Sequence, residues 1–132
     1  MTTITIVCIA LMGVLLFVLG ANVTRWRVIR GKNGGPQAST DPADRLLIAV
    51  RAHGNAAEYI PTMIVLLLVC SALSDSWWVD ALSVAALAVR TVHAVGMLSA
   101  KTLAAHGPLR DIGALGTYLV GITLGVSAIA FI

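Results

Sequence analysis

Along most of this chain, apolar positions run on rather than alternate with polar ones. Long apolar stretches cover about residues 3–24, most of 43–73, 77–100 and 109–132. Each is as long as the ~20 residues a helix needs to cross a bilayer core. A segment in lipid must satisfy its backbone groups internally, so helix is the expected form. The pattern predicts an all-α integral membrane protein, a four-helix bundle in one domain spanning residues 1–132. The second stretch differs from the others: it is longer than a bilayer requires, and its first half is amphipathic. On a helix, Arg51, Asn55, Glu58 and Thr62 follow one another at spacings of four, three and four, forming one stripe with Tyr59 at its edge. His53 falls roughly opposite Arg51 at ~100° per residue, so it must address a different neighbour. Pro61 should kink the helix just beyond the polar stretch.

The breaks between the stretches carry the turn residues. A loop over 25–42 holds Arg25, Arg27, Arg30 and Lys32, then a run rich in Gly, Pro, Ser and Asn. Asp41 or Asp44 is placed to cap the second helix. Ser74, Asp75 and Ser76 form a short turn, with Trp77 and Trp78 where interfacial aromatics are expected. In the last stretch Gly113, Thr117, Gly121 and Gly125 recur every four residues, a stripe that suits either packing within the chain or contact with a second subunit.

Composition agrees with the class. The hydrophobic share is 58%, the charged share 11% and the mean hydropathy +0.92, outside the range of soluble domains. The basic balance, net charge +3, reflects topology rather than nucleic-acid binding. Lys and Arg flank the first and third loops, whereas the second carries only Asp75 and Asp80. The positive-inside rule then places loops one and three in the cytoplasm and both termini in the periplasm of an inner membrane. The first stretch lacks a positive leader, so it reads as a retained helix rather than a signal peptide. Cys8 and Cys70 sit in apolar runs and read as small buried hydrophobes.

Ionisable groups at membrane depth are rare, and they face a protein interior or an aqueous cavity. Glu58 lies seventeen residues before Asp75 and Arg90 fifteen after it, so the two are expected at similar depth. A Glu58–Arg90 ion pair is the simplest way to avoid two unpaired charges. Arg51 and Asn55 then remain free and, with Arg27 or Arg25 from the first helix, would line a cationic pocket at the membrane surface. Such a pocket suits a ligand bearing carboxylates, with an apolar partner entering from lipid. Arg30 and Lys32 read as anchors to lipid phosphates. The three histidines show no ligand spacing, and no metal site is expected; His93 reads as a helix-packing residue.

The segment Arg51-Ala-His-Gly-Asn55-Ala-Ala-Glu58-Tyr59-Ile-Pro61 closely resembles the R-A-(H/Q)-x-N-x-x-E-Y-x-P signature of the MAPEG family, the membrane-associated proteins of eicosanoid and glutathione metabolism. The resemblance extends, more weakly, over nearly the whole chain. It implies a homotrimer holding glutathione between subunits, with a lipophilic electrophile as second substrate and membrane lipids as further partners. Arg51, Asn55, Glu58, Tyr59 and Arg90 carry over as ligand-binding residues, with Arg27 a looser match and His93 beside them. An arginine near the start of the fourth helix stabilises the thiolate in that family, and Arg110 is the arginine nearest that place here. A nearby cation lowers a thiol's pKa toward neutrality and populates the nucleophile. On the third helix, His93 and Met97 stand where the eukaryotic enzymes have tyrosines, and Arg90-x-x-His93-x-x-Gly96 looks more like the bacterial branch. Two functions follow: a glutathione-dependent transferase or peroxidase, or a non-catalytic membrane protein that binds a lipid or thiol or scaffolds others.

Overall fold

The computed structural model describes residues 1–131. Ile132, the expected end of the fourth helix, lies outside the described residues. The chain folds into α1 (Thr3–Lys32), α2 (Arg45–Leu73), α3 (Trp77–Ser99) and α4 (Pro108–Ala130). All four are long and apolar enough to cross a membrane. Many large apolar side chains point outward, among them Phe17 at 80% and Ile129 at 75% exposure, as expected of surfaces that meet lipid or another subunit.

The first helix departs from the expected loop. It continues about two turns past residue 24, through Arg25, Arg27 and Arg30 to Lys32. Arginine and lysine are good helix formers, and no glycine or proline interrupts them before Gly31. A 30-residue helix is roughly 45 Å long at ~1.5 Å per residue, so its basic end projects beyond the hydrocarbon. Gly34, the one glycine with a left-handed φ (+68°), reverses the chain, and Gly35 N–H bonds the Arg30 carbonyl at 3.0 Å. Of the two candidate caps, Asp44 is the one used: its carboxylate accepts from Leu46 N–H at 2.7 Å. It also receives the Arg30 guanidinium, fastening the end of α1 to the start of α2. Asp41 instead accepts from Ala43 N–H at 2.9 Å in the preceding turn. The second helix then runs through Pro61 without interruption.

α2 and α3 form the middle of the bundle. α1 packs on both from one side and α4 on both from the other, and α1 and α4 do not touch. Met12, Leu19, Ile60, Leu67, Ala86 and Leu124 fill the interior. Cys8 and Cys70 are buried free thiols. The α3–α4 contact is the tightest. A Cβ at Gly96 would lie 2.5 Å from Arg110 N, one at Gly113 2.5 Å from His93 N, and one at Gly116 2.5 Å from a Val89 methyl. Only glycine lets these backbones approach so closely. The expected stripe on α4 is therefore divided. Gly113 and Thr117 are buried within the chain, whereas a Cβ at Gly121 or Gly125 would meet open space.

The two ends differ in charge. At one end, Leu103 N–H bonds the Pro42 carbonyl at 2.8 Å, and Arg45 reaches the carbonyls of Leu98 (3.4 Å) and Ala100 (3.3 Å). The basic first loop is thereby joined to the third. At the other end the Met1 ammonium lies 2.7 Å from Asp75, while Thr2 and Thr5 donate to Asp80.

Candidate functional site

The stripe on α2 borders an open cleft of about 650 Å³ near the cation-rich end. Arg51, Asn55 and Glu58 line one wall, His93 and Met97 of α3 the floor, and Arg110, Asp111 and Tyr118 of α4 the other wall. The i, i+4 and i, i+3 geometry of a helix places Arg51, Asn55 and Glu58 side by side, as the sequence predicted. Arg51 and Glu58 are both exposed, and neither makes a hydrogen bond or ion pair among the described residues.

Arg90 does not pair with Glu58. Its side chain is 1% exposed and is held by neutral groups: Nη2 donates to Asn55 Oδ1 at 2.8 Å and Nη1 to Thr117 Oγ1 at 3.1 Å. The guanidinium carbon lies 5.5 Å from the centroid of the Tyr59 ring, a cation–π contact. Nε has no partner. The reason is rotation about α2, not depth. Asn55 and Tyr59, four apart on α2, bracket Arg90, while Glu58 lies further round the helix and faces the cleft. An amide oxygen, a hydroxyl and a ring face replace water around the cation, so the carboxylate stays free.

Tyr118 escaped the sequence analysis, which named Thr117 only as part of the small-residue stripe and not as a partner of Arg90. Thr117 donates to the Gly113 carbonyl at 2.7 Å and uses its remaining lone pairs for Arg90. Tyr118 packs edge-on against Tyr59, with centroids 5.8 Å apart and hydroxyls 3.4 Å apart. The chain has only two tyrosines, and they meet here. That scarcity was the available signal, since a polar ring on an otherwise apolar helix calls for a partner. The phenols thus come from α2 and α4, whereas family resemblance had directed attention to α3.

His93 is 5% exposed, and its Nδ1 lies 2.9 Å from the Arg110 carbonyl oxygen. A carbonyl only accepts, so Nδ1 carries the proton. Arg110 itself lines the cleft, but its guanidinium is turned to its own loop: Nη2 donates to Ala105 O at 2.7 Å and Nη1 to Leu103 O at 3.4 Å. Its main chain positions His93, and its side chain closes the α3–α4 loop. His53, on the opposite face of α2 from Arg51, packs against α1, where a Cβ at Gly20 would lie 3.2 Å from its Nε2. Arg27 is exposed on the projecting end of α1. Because α1 and α4 lie on opposite sides of the central pair, the fold does not bring Arg27 to the cleft of its own chain. Arg25 lies over Trp26, 5.6 Å from the ring centroid.

No curated protein and no solved structure gives a significant match to this sequence. The MAPEG family model matches residues 5–130. With four helices of membrane-spanning length and a match over nearly the whole sequence, the chain belongs to the MAPEG family.

Proposed function

We propose that the protein is a membrane-embedded, glutathione-dependent transferase or peroxidase acting on lipophilic electrophiles at the cytoplasmic side. One observation carries the reading. Arg51 and Glu58, opposite in charge and each without an internal partner, line the same cleft with Asn55 between them. Glutathione bears two carboxylates and one ammonium group. A guanidinium and a carboxylate two turns apart on one helix face match that charge pattern, and Asn55 can bond its peptide groups. The lipid side of the cleft offers apolar Leu47, Val50 and Ala114 to the second substrate. Family membership supports the same class of chemistry.

The assembly that suits this site is a homotrimer. Arg27 turns away from its own cleft, so a second copy would bring its Arg27 to the open side. The charge difference between the bundle ends supports an inner-membrane orientation with both termini periplasmic and the cleft opening toward the cytoplasm.

Glutathione should raise the melting temperature of the purified protein, since a ligand of the folded state alone stabilises by about 2.7 kcal/mol at a hundredfold excess over Kd. Arg51→Ala should remove the protection and change unliganded stability by no more than ~0.5 kcal/mol, because an exposed side chain without partners contributes little. Absence of protection at millimolar glutathione would overturn the reading. A non-catalytic thiol- or lipid-binding role is favoured by one observation, the commitment of the Arg110 guanidinium to loop carbonyls. It predicts protection without conjugation of any general electrophile.

A further inference from the structure

Resting on the glutathione reading, we infer that His93, through its free Nε2, is the group that takes the proton from the bound thiol. Three features of the molecule lead there. The Nδ1–Arg110 carbonyl bond assigns the ring proton to Nδ1 and so leaves a lone pair on Nε2. Nε2 has no hydrogen-bond partner among the described residues, and His93 itself lines the cleft. Meanwhile the arginine that would otherwise stabilise a thiolate points its guanidinium at Ala105 and Leu103. The site therefore offers a proton acceptor where the Arg110 guanidinium is directed elsewhere.

The arrangement is built, because the ring is fixed by backbone. A Cβ at Gly113 would fall 2.5–2.6 Å from the N, Cα and Cβ of His93, and one at Gly96 would fall 2.5 Å from Arg110 N. These two glycines allow α4 close enough for its third residue to accept from the imidazole. The charged and titratable groups around the ring are Arg90 on its own helix, Arg51 and Glu58 across the cleft on α2, and Arg110, Asp111 and Tyr118 on α4; no charged group of α1 lines the cleft.

The step balances simply. The thiol S–H proton moves to Nε2, giving thiolate and imidazolium. With an activated haloarene as electrophile, the sulfur lone pair then forms the S–C bond, halide departs with the C–halogen electron pair, and the imidazolium returns its proton to water. A positioned general base contributes typically ~10²–10⁴-fold to rate.

The test uses the full-length protein in detergent. In the wild type, bound glutathione should show thiolate ultraviolet absorbance at neutral pH. His93→Gln keeps an N–H for the Arg110 carbonyl but has no basic nitrogen. It should bind glutathione within about threefold of wild type, lose the thiolate absorbance and lose ~10²–10⁴ in kcat with the haloarene. Its residual rate should rise about tenfold per pH unit, tracking ionisation of the free thiol. A wild-type thiolate signal and pH profile in His93→Gln would show that His93 only packs, overturning the inference while leaving glutathione binding intact. Failure of the wild type to bind glutathione would overturn both. If the variant does not fold, nitrogen-15 shifts of His93 in the labelled wild type decide. Glutathione should convert a neutral Nδ1–H ring to imidazolium, and a thiolate signal beside a ring that stays neutral would refute the proton transfer.

Discussion

Two stretches of α4 use small residues to different ends. Toward α3, Gly113 and Gly116 meet backbone and a packed methyl at distances no Cβ could occupy. Further along, Gly121 and Gly125 face open space, although they lie on the same four-residue repeat as Gly113. The repeat shows where helices could approach; it does not show that they do. Where contact is made, polar groups follow with defined partners: His93 on the Arg110 carbonyl, Arg90 on Thr117. Where it is not made, the helix shows lipid or another subunit an ordinary apolar surface.

The sharpest way to break this comparison is one methyl group on each part of the stripe. Gly113→Ala forces a Cβ into the backbone of His93, which cannot yield as a flexible side chain would. It should destabilise by about 1–3 kcal/mol, the range of overpacking, and should also weaken thiol ionisation by moving the imidazole. Gly121→Ala should lie within ~0.5 kcal/mol of wild type. Reversible unfolding in mixed micelles measures both, and equal effects would erase the distinction.

A second test concerns Arg90 and Glu58. Arg90→Leu leaves the Asn55 amide and Thr117 hydroxyl without their partner and should destabilise by about 1–3 kcal/mol. Glu58→Gln, exposed and unpaired, should change stability by no more than ~0.5 kcal/mol while weakening binding of an ammonium-bearing ligand. The double mutant should be additive, since no direct contact couples the two; a coupling energy above ~0.5 kcal/mol would restore the ion pair expected from sequence.

The smallest effect lies at the opposite end of the bundle. The Met1 ammonium donates to Asp75 and holds its carboxyl below the usual carboxylate range. Stability from a depressed carboxylate is present above its unfolded pKa and lost as pH falls through the folded value. Asp75→Asn should therefore lower the melting temperature slightly at neutral pH and not at all in strong acid. The side chain is fully solvated, so the effect should also shrink with added salt. A deficit that persists in acid would point to a role other than charge.

Much of the site was legible because a helix enforces its own periodicity. Arg51, Asn55 and Glu58 had to share a wall once residues 51–58 were helical, and His53 had to face away; it packs on Gly20 of α1. The end of α1 was misjudged because a cluster of arginines looks like a loop after an apolar run, though the residues themselves favour helix. Tyr118, and the bond from Arg90 to Thr117, were missed because these contacts span 59 and 27 positions, respectively, and no local pattern reports such a separation.

By itself the sequence determined the number of helices, their membrane-spanning character, the family and the composition of the α2 stripe. All of these depend on apolar run length and on order within a single helix. The tertiary structure alone decided the partners across helices. Counting from the Asp75 turn places Glu58 and Arg90 at similar depth, but the pairing turned on rotation: at ~100° per residue, Glu58 points about 60° away from Asn55. Arg90 therefore went to Asn55, not Glu58. The rotation that settled this comes from how α2 packs against α3, and that is a property of the packed pair, not of either segment alone.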